Sequence, residues 1–296
     1  MPLDNISKLR QLISSKQTVT VPGVFSPSVA LIAQAAGFKS LYFSGAGFSN
    51  LLGLPDLGVT TMSEVAEAVT MITAVVDLPL VVDADTGFGE TFNVSRSVKE
   101  LERAGAAAIQ IEDQVMPKKC GHLSGKEVVP KEEMVKKIIA AKEASRNGIV
   151  IVARTDATAV EGLESAIRRS KLYLKAGADV IFPDALESQS DFARFSEQVR
   201  APLIANMTEF GKTPYLTVQQ FSKLNYKFVL FPVTAFRMAM KAVELTFKEL
   251  SKNGSQNAIL NKMMTREEFY KLSGYHFYEK LDMNIHKRAK TLSRDT

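Results

Sequence analysis

Residues 104–113, A-G-A-A-A-I-Q-I-E-D, contain one copy of the pattern that decides the fold. A glycine ends a predicted helix in the left-handed conformation, a short and nearly all-apolar strand follows, and the strand stops at two carboxylates. The same Ala-Gly pair precedes a predicted strand at residues 36–37 and at residues 176–177. Short apolar strands that alternate with helices are typical of a parallel sheet covered by helices.

The pattern recurs from residue 18 to residue 232. After a predicted first helix at residues 6–14, strands are predicted at residues 18–25, 41–43, 80–82, 107–111, 149–153, 180–182, 203–205 and 228–231. Helices are predicted between them at residues 28–36, 63–76, 93–104, 131–146, 164–176, 190–199 and 217–224. Eight such units predict an α/β fold, a closed (β/α)8 barrel of the TIM type. We expect a single domain of 296 residues with extra C-terminal helices at residues 236–296.

A doubly wound open sheet is the alternative fold. The turn Gly45-Ala46-Gly47 follows a predicted strand, as the phosphate-binding turn of that fold does. Asn50, however, stands where the third glycine of G-x-G-x-x-G belongs. This signal is therefore weak, and the barrel is favoured.

The composition is typical of a globular protein with one large core, because 46% of the residues are hydrophobic and 23% are charged. The sequence shows neither an apolar signal region nor an apolar run of membrane-spanning length, and its single Cys has no partner for an internal disulfide. We therefore expect a cytoplasmic protein without a membrane partner. The net charge of +5 and the basic tail at residues 286–290 permit nucleic-acid binding, but basic and acidic residues alternate elsewhere, so we expect small anions as partners instead.

Polar residues stop the predicted strands, and in a barrel these stops form one ring around the face where barrel active sites lie. The ring consists of Ser44, Asp83, Asp85, Glu112, Arg154, Asp184 and Asn206. Strand periodicity places Asp83 and Asp85 on one face. It also turns Glu112 towards the inside, since Ile109 and Ile111 belong on the side of the helices.

Three carboxylates that converge repel one another unless a cation is present. The pattern therefore predicts a hard divalent ion at Asp83, Asp85 and Glu112, namely Mg²⁺ held partly through water, with Mn²⁺ as the alternative ion. The alternative is that these carboxylates pair with Arg154 and with nearby lysines, in which case no ion is needed.

The loop after the fourth predicted strand concentrates reactive side chains. Residues 117–130, P-K-K-C-G-H-L-S-G-K-E-V-V-P, hold the only cysteine, Cys120, and one of three histidines, His122. Without a second cysteine this pair does not form a structural zinc site, so the thiol is better interpreted as an acid, base or nucleophile. Lys118, Lys119 and His122 favour its thiolate form if they lie close. The alternative is an inert buried cysteine, but such a residue usually has apolar neighbours.

Nearly the whole chain resembles the isocitrate lyase and phosphoenolpyruvate mutase superfamily. The motifs that carry the resemblance are Ser44-Gly45-Ala46-Gly47, Leu54-Pro55-Asp56-Leu57-Gly58, Val82-Asp83-Ala84-Asp85-Thr86-Gly87-Phe88-Gly89, Glu112-Asp113-Gln114, Lys118-Lys119-Cys120-Gly121-His122, Arg154-Thr155-Asp156 and Asn206-Met207-Thr208-Glu209-Phe210-Gly211. The lysine-rich Cys-Gly-His loop is specific to the carbon–carbon lyase branch. Phe182 and the short chain resemble the 2-methylisocitrate lyases within that branch, whereas isocitrate lyases proper are longer.

The resemblance implies Mg²⁺-dependent cleavage of 2-methylisocitrate to pyruvate and succinate, in the methylcitrate cycle of propionate catabolism. It implies that Asp83 and Asp85 hold Mg²⁺, with Glu112 behind a bridging water. The implied catalytic residues are Cys120, which we expect to be the acid, His122, Lys118 and Tyr42. The implied substrate-binding residues are Ser44, Gly45, Ala46, Cys120, Gly121, Arg154, Asp184, Asn206, Thr208, Arg237 and Arg266. For the general base, Tyr42 and a metal-held carboxylate are both open.

Two positions depart from the family pattern. Ala46 stands where the family usually has Gly, which is a small change in a backbone turn, and Asp184 stands where it has Glu. The shorter carboxylate at position 184 bears on the fit of methylisocitrate. Dimethylmalate, oxaloacetate and isocitrate are therefore alternative substrates.

Two further implications concern partners. The resemblance implies a homotetramer in which residues 236–296 pack on a neighbouring subunit. A non-catalytic basic binding protein is the alternative of another class. The complete carboxylate set and the complete Cys-Gly-His loop favour the enzyme, because a protein without catalytic activity has no physical reason to keep three mutually repelling carboxylates.

Overall fold

The computed structural model describes residues 4–121, 123 and 125–293. The chain divides into two compact units, Met1–Met238 and Ala239–Thr296. Within the described ranges, no helix combines the length and the apolar character that crossing a membrane requires. His122 lies outside the described residues, so the prediction that it is catalytic is not addressed by the structure.

A sheet of parallel strands forms the centre of the first unit. Its strands are β1 (Val19–Val24), β2 (Leu41–Phe43), β3 (Leu80–Asp83), β4 (Ala108–Glu112), β5 (Val150–Thr155), β6 (Val180–Pro183), β7 (Ile204–Asn206) and β8 (Phe228–Phe231). Their order is β6-β5-β4-β3-β2-β1-β8-β7. A parallel bridge between Ile181 and Leu203 links the two outer members of this series. The sheet is therefore a nearly closed barrel, and the predicted fold is confirmed.

Helices alternate with these strands. They are α1 (Asn5–Ser14), α2 (Pro27–Ala35), α3 (Gly45–Leu51), α4 (Met62–Thr73), α5 (Thr91–Arg103), α6 (Lys131–Ala144), α7 (Ala157–Glu161), α8 (Leu163–Lys175), α9 (Gln189–Gln198), α10 (Val218–Lys223), α11 (Thr234–Asn253), α12 (Arg266–Ser273) and α13 (Tyr275–Leu292), with a 3₁₀ turn at Asn257–Lys262. The helices predicted between the strands are all present, with ends shifted by a few residues. Two short helices, α3 and α7, were not predicted.

The apolar core has two layers. Ile109 and Ile111 of β4 pack with helix side chains in the layer outside the barrel. Ala108 of the same strand packs in the inner layer with Val81 and Val152. This alternation confirms the predicted faces of β4 and turns Glu112 towards the barrel interior.

The second unit has no core of its own among its described residues. No described side chain from residue 239 to residue 293 is buried. Large apolar side chains are exposed there, namely Leu245, Phe247, Leu260, Phe277, Tyr278 and Ile285. Exposed apolar surface on this scale is typical of a segment that packs against another protein surface.

Candidate active site

A cavity of about 260 Å³ opens at the C-terminal ends of the strands. The residues predicted from the sequence that line it are Tyr42, Ser44, Ala46, Asp83, Lys118, Cys120, Gly121, Arg154, Asp184, Asn206, Thr208 and Arg237. Phe182 lines it as well. The structure thus brings most of the predicted ring, and the loop that carries Cys120, to one cavity of the first unit. Arg266 begins α12 in the second unit, and its role in binding substrate stays a prediction.

Asp83 ends β3 with its carboxylate fixed by three hydrogen bonds. The amide of Gln110 donates to Asp83 Oδ1 at 3.0 Å, and the backbone N–H of Asp85 donates to the same oxygen at 3.1 Å. The backbone N–H of Gly45 donates to Asp83 Oδ2 at 3.2 Å. Hydrogen bonds of this kind fix the orientation of the carboxylate.

Asp83 and Asp85 converge above Gly45, as their spacing predicted. A Cβ built on Gly45 would lie 3.2 Å from Asp83 Oδ2 and 3.2 Å from Asp85 Oδ1. Glycine at this position therefore leaves the space between the two carboxylates open. Asp85 reaches this point from a left-handed backbone conformation with φ of 47°, which a non-glycine residue rarely adopts.

Lys118 of the loop compensates the charge of Asp85. Its Nζ lies 2.8 Å from Asp85 Oδ1 and also contacts the carboxylate of Asp56. Burial raises the pKa of Asp85 to about 6, with Asp83 adding to the shift and Lys118 opposing it. Burial lowers the pKa of Lys118, but Asp85 and the other carboxylates outweigh it and raise that pKa above its usual value. Lys118 therefore remains an ammonium in this arrangement.

Glu112 is fully buried at the end of β4. Its Oε2 lies 3.2 Å from Arg154 Nη1. Burial raises the pKa of Glu112 well above its usual value, and Asp156 and Asp83 add to the shift, while Arg154 and Lys118 oppose it. Burial therefore opposes the ionised form of Glu112, whereas the guanidinium of Arg154 stabilises it.

Arg154 joins the carboxylates at the ends of β5 and β6. Its Nε lies 2.9 Å from Asp156 Oδ2, and its Nη2 lies 2.7 Å from Asp184 Oδ2. The amide of Asn206 donates to the other oxygen of Asp184 at 3.0 Å. The guanidinium also lies over the ring of Phe182, 5.4 Å from its centroid. Asp184 is thus held as the ion-pair partner of Arg154.

Tyr42 lines the cavity with its hydroxyl already engaged. That hydroxyl donates to Gln110 Oε1 at 2.8 Å. Burial raises the pKa of Tyr42 well above its usual value, and the negative charge of Asp83 adds to the shift. In this arrangement Tyr42 holds its proton, which argues against Tyr42 as the general base.

The metal prediction receives mixed support. Among the described residues, no group of three or more His, Cys, Asp or Glu side chains has the arrangement of a metal site. Lys118 and Arg154 instead pair with Asp85 and Glu112, which is the alternative interpretation that the sequence left open. Apart from these ion pairs, however, Asp85 Oδ1 and both carboxylate oxygens of Glu112 are buried without a hydrogen-bond partner. Buried carboxylate oxygens of this kind fit a hard divalent cation.

Several site residues were missed from the sequence. They are Gln110, which orients Asp83 and Tyr42, Asp56, which pairs with Lys118, and Lys126, which pairs with Asp156. Strand periodicity alone places Gln110 on the inner face with Glu112, so that signal was present. The partners of Lys118 and Lys126 lie far away in sequence, and spacing does not identify them.

The fold and the site define a (β/α)8-barrel protein with a carboxylate-rich, arginine-lined cavity at the C-terminal ends of its strands. The profile of the phosphoenolpyruvate phosphomutase family matches residues 9–251 of the chain. The chain belongs to the phosphoenolpyruvate mutase and isocitrate lyase superfamily, and the resemblance seen in its motifs is confirmed.

Curated relatives place the chain near one branch of that superfamily. The 2-methylisocitrate lyase of Aeropyrum pernix is 57% identical over 284 residues, which cover 96% of this chain and 92% of the relative. The 2-methylisocitrate lyase of Bacillus subtilis is 47% identical over 288 residues, which cover 97% of this chain and 94% of the relative.

Solved structures of three superfamily members have the same fold. Oxaloacetate acetylhydrolase in complex with 3,3-difluorooxalacetate has a TM-score of 0.91 and 31% identity, covering 96% of this chain and 98% of the other. A 2,3-dimethylmalate lyase has a TM-score of 0.89 and 32% identity, covering 96% of each chain. A phosphonopyruvate hydrolase complex with oxalate and Mg²⁺ has a TM-score of 0.86 and 29% identity, covering 95% of this chain and 99% of the other.

Proposed function

We propose that this chain is a 2-methylisocitrate lyase, an oxo-acid lyase that cleaves one carbon–carbon bond to give pyruvate and succinate. Its curated relatives at 47–57% identity bear that name and match over nearly their whole length. The structural observation that carries the proposal is the position of Cys120, which lines the same cavity as Asp83 and Arg154. A proton donor, an oxygen-rich pole and a cation are the three features that this cleavage requires.

Positively charged and hydrogen-bonding side chains line the cavity and can bind a substrate with three carboxylates. Arg154 and Arg237 line it, together with the side chains of Asn206 and Thr208. Arg237 Nε lies 3.5 Å from Glu209, and its guanidinium stacks over the ring of Phe210. Both guanidinium groups therefore already have neighbours that orient them, which reduces the entropy lost when they bind a carboxylate.

We assign the other pole of the cavity to the carbon atoms that become pyruvate. Ser44 and Ala46 line the cavity there, next to Asp83. Asp83, Asp85 and Glu112 are the residues that would hold Mg²⁺, because buried oxygens of Asp85 and Glu112 without hydrogen-bond partners fit such an ion. Mg²⁺, when bound, lowers the pKa of a coordinated hydroxyl group and stabilises the resulting negative charge. The related phosphonopyruvate hydrolase was solved with oxalate and Mg²⁺.

The bond cleavage needs one base and one acid. Loss of the hydroxyl proton lets its oxygen form the ketone of pyruvate, while the electron pair of the broken carbon–carbon bond moves to the carbon that becomes part of succinate. That carbon takes a proton from the thiol of Cys120, which is partly exposed in the cavity. Since the hydroxyl of Tyr42 keeps its proton and donates a hydrogen bond to Gln110, a carboxylate is the remaining candidate for the base.

The arrangement of subunits is a further part of the proposal. We assign the exposed apolar side chains of the second unit, among them Phe247 and Phe277, to contacts with a neighbouring copy in a homotetramer. The single cysteine and the absence of an internal disulfide favour the cytoplasm as the compartment. Light scattering on the purified protein tests the assembly, and a monomeric mass would contradict it.

Related substrates are the second candidate, and Asp184 is the observation that favours considering them. It stands where the family usually has Glu. Two enzymes with the same fold are named for other substrates, namely a 2,3-dimethylmalate lyase and an oxaloacetate acetylhydrolase. A substrate panel with Mg²⁺ decides: methylisocitrate, isocitrate, dimethylmalate and oxaloacetate are compared by kcat/KM. The proposal expects methylisocitrate to have the highest value, and a higher value for any other substrate would overturn it.

A further inference from the structure

Lys126 pairs with Asp156 but has no part in the proposed reaction, although its ammonium group is among the most deeply buried charges of the barrel. It lies in the loop between β4 and α6, and its side chain is only 1% exposed. A lysine on a loop normally keeps its ammonium group in water, because removing the charge from water costs several kcal/mol. A buried lysine in this position therefore needs strong local partners.

Those partners belong to two different segments of the site. The ammonium group of Lys126 lies 2.8 Å from Asp156 Oδ1, and it donates a hydrogen bond to the backbone carbonyl of Gly121. Gly121 directly follows Cys120, whereas Asp156 directly follows β5. One side chain thus joins the segment that carries the thiol to the strand that carries Arg154.

Asp156 is itself fixed from two further directions. Arg154 donates two hydrogen bonds to its carboxylate, at 2.9 and 3.0 Å. The backbone N–H of Asp156 donates to Asp113 Oδ1 at 2.9 Å. The carboxylate of Asp156 is therefore held in place. If Lys126 moved away from it, the buried ammonium group would lose its carboxylate partner.

Gly121 approaches the site so closely that no side chain fits there. A Cβ built on Gly121 would lie 1.5 Å from Asp184 Oδ2 and 2.7 Å from Arg154 Nη2. The hydrogen bond from Lys126 reaches the carbonyl of this same residue. Gly121, the residue after Cys120, therefore makes both contacts: it accepts the hydrogen bond from Lys126, and it packs against Asp184 and Arg154.

We propose that Lys126 is a positioning residue for the proton donor. It holds the segment of Cys120 and Gly121 against Arg154 and Asp156, so that the thiol faces the substrate carbon; this role rests on the proposed function. Lys126 does not touch the reacting atoms and acts through the backbone of Gly121. The alternative is that the Lys126–Asp156 ion pair only stabilises the fold.

Alkylation of Cys120 separates these two roles. Because Cys120 is the only cysteine, its rate of reaction with iodoacetamide reports on the loop without any substrate. Rates measured over a range of pH separate a change in the thiolate fraction from a change in access. K126M is compared with K142M, which removes the same ammonium group from an ion pair of 3.0 Å with Asp179, away from the loop.

We expect K126M to alkylate about tenfold faster than the wild type at the pH-independent limit, because the segment is released when a charged hydrogen bond is lost. Its kcat should fall by about tenfold or more, with a smaller change in KM. K142M should have a lower Tm and wild-type alkylation and kcat. K126Q provides the same comparison if K126M does not fold.

Wild-type alkylation and kcat in the folded Lys126 variants, with a loss of Tm like that of K142M, would overturn the positioning role. A wild-type protein that releases no pyruvate from methylisocitrate would overturn the proposed function instead. In that case the alkylation rates of K126M and K142M still decide whether Lys126 holds the loop.

Discussion

Arg154 and Asp184 form a buried ion pair of 2.7 Å across the ends of β5 and β6. The loop after β4 packs directly on this pair, since a Cβ at Gly121 would lie 1.5 Å from Asp184 Oδ2. A longer carboxylate at position 184 would have to occupy other space or move the loop. The shorter Asp184 is thus matched to a loop that comes this close, and the departure from the family pattern has a local physical reason.

Gly121→Ala should abolish most of the activity. The added Cβ collides with Asp184 and Arg154, so the segment that carries Cys120 is pushed away from the cavity. We expect kcat to fall by about 100-fold, as expected for a misplaced catalytic group. Steady-state kinetics with methylisocitrate measure this effect.

Gly125→Ala is the matched control in the same loop. Gly125 has φ of 73°, so alanine is strained there, but the nearest atom to its Cβ is the flexible end of Lys119 at 3.2 Å. This variant should lose about 1 kcal/mol of stability and keep most of its kcat. Equal losses of kcat in both variants would contradict the proposed contact.

Cys120→Ser should keep substrate binding and lose most of the turnover. The hydroxyl group is smaller than the thiol and is a much weaker acid, so proton donation to the succinate carbon becomes slow. We expect kcat to fall by about 100-fold to 10,000-fold with little change in KM. A kcat equal to that of the wild type would remove the thiol from the mechanism.

Mg²⁺ should stabilise the folded protein through Asp83 and Asp85. At a concentration of about 100 times its Kd, a ligand that binds only the folded state adds about 2.7 kcal/mol, which appears as a higher Tm. D85N removes one proposed ligand and should lose most of this gain. Thermal unfolding with and without Mg²⁺ measures it, and an equal rise of Tm in D85N would show that the ion binds elsewhere.

The ion pair between Glu161 and Arg169 should make the stability of the fold depend on pH. Hydrogen bonds from Arg169 lower the pKa of Glu161 to about 2, with Ser165 adding to the shift and burial opposing it. A carboxylate with a lowered pKa contributes stability that is complete above about pH 4.5 and is lost as the pH falls towards 2. The side chain is 36% exposed, so solvent screening leaves about 1 kcal/mol of this contribution.

E161Q removes that contribution. Its free energy of unfolding should lie about 1 kcal/mol below that of the wild type at neutral pH. The gap should shrink as the pH falls from about 4.5 towards 2, because the unfolded wild type takes up a proton at Glu161 first and the folded wild type follows near pH 2. Urea unfolding at two pH values measures the gap, and a gap of the same size at both would contradict the lowered pKa.

Most of the barrel was predictable because each strand carries its own local signals. The Ala-Gly pairs and short apolar runs mark where helices end and strands begin. Helix α3 was missed because its Gly-Ala-Gly start has low helix propensity. Two local contacts stabilise this helix despite its low propensity. Ser44 Oγ accepts a hydrogen bond from the N–H of Gly47 at 3.2 Å, and the ring of Phe48 packs on that of Phe43 with centroids 5.1 Å apart.

The ring of polar residues at the strand ends was predictable, but the ion pairs among the site residues were not. Polar residues at strand ends converge by the geometry of the barrel, so the ring followed from the strand positions. Which cation meets which carboxylate depends on loops. Lys118 meets Asp56 across 62 residues, and Lys126 meets Asp156 across 30 residues, and no spacing rule specifies such pairs.

The central claim is that this chain cleaves 2-methylisocitrate with the help of Mg²⁺. The most direct measurement follows pyruvate and succinate together as purified protein consumes methylisocitrate, with Mg²⁺ present and after its removal by a chelator. The proposed function predicts one pyruvate and one succinate for each substrate molecule, with release that stops on chelation and returns when Mg²⁺ is restored. No pyruvate in the presence of Mg²⁺, or release that persists in full after chelation, would contradict it.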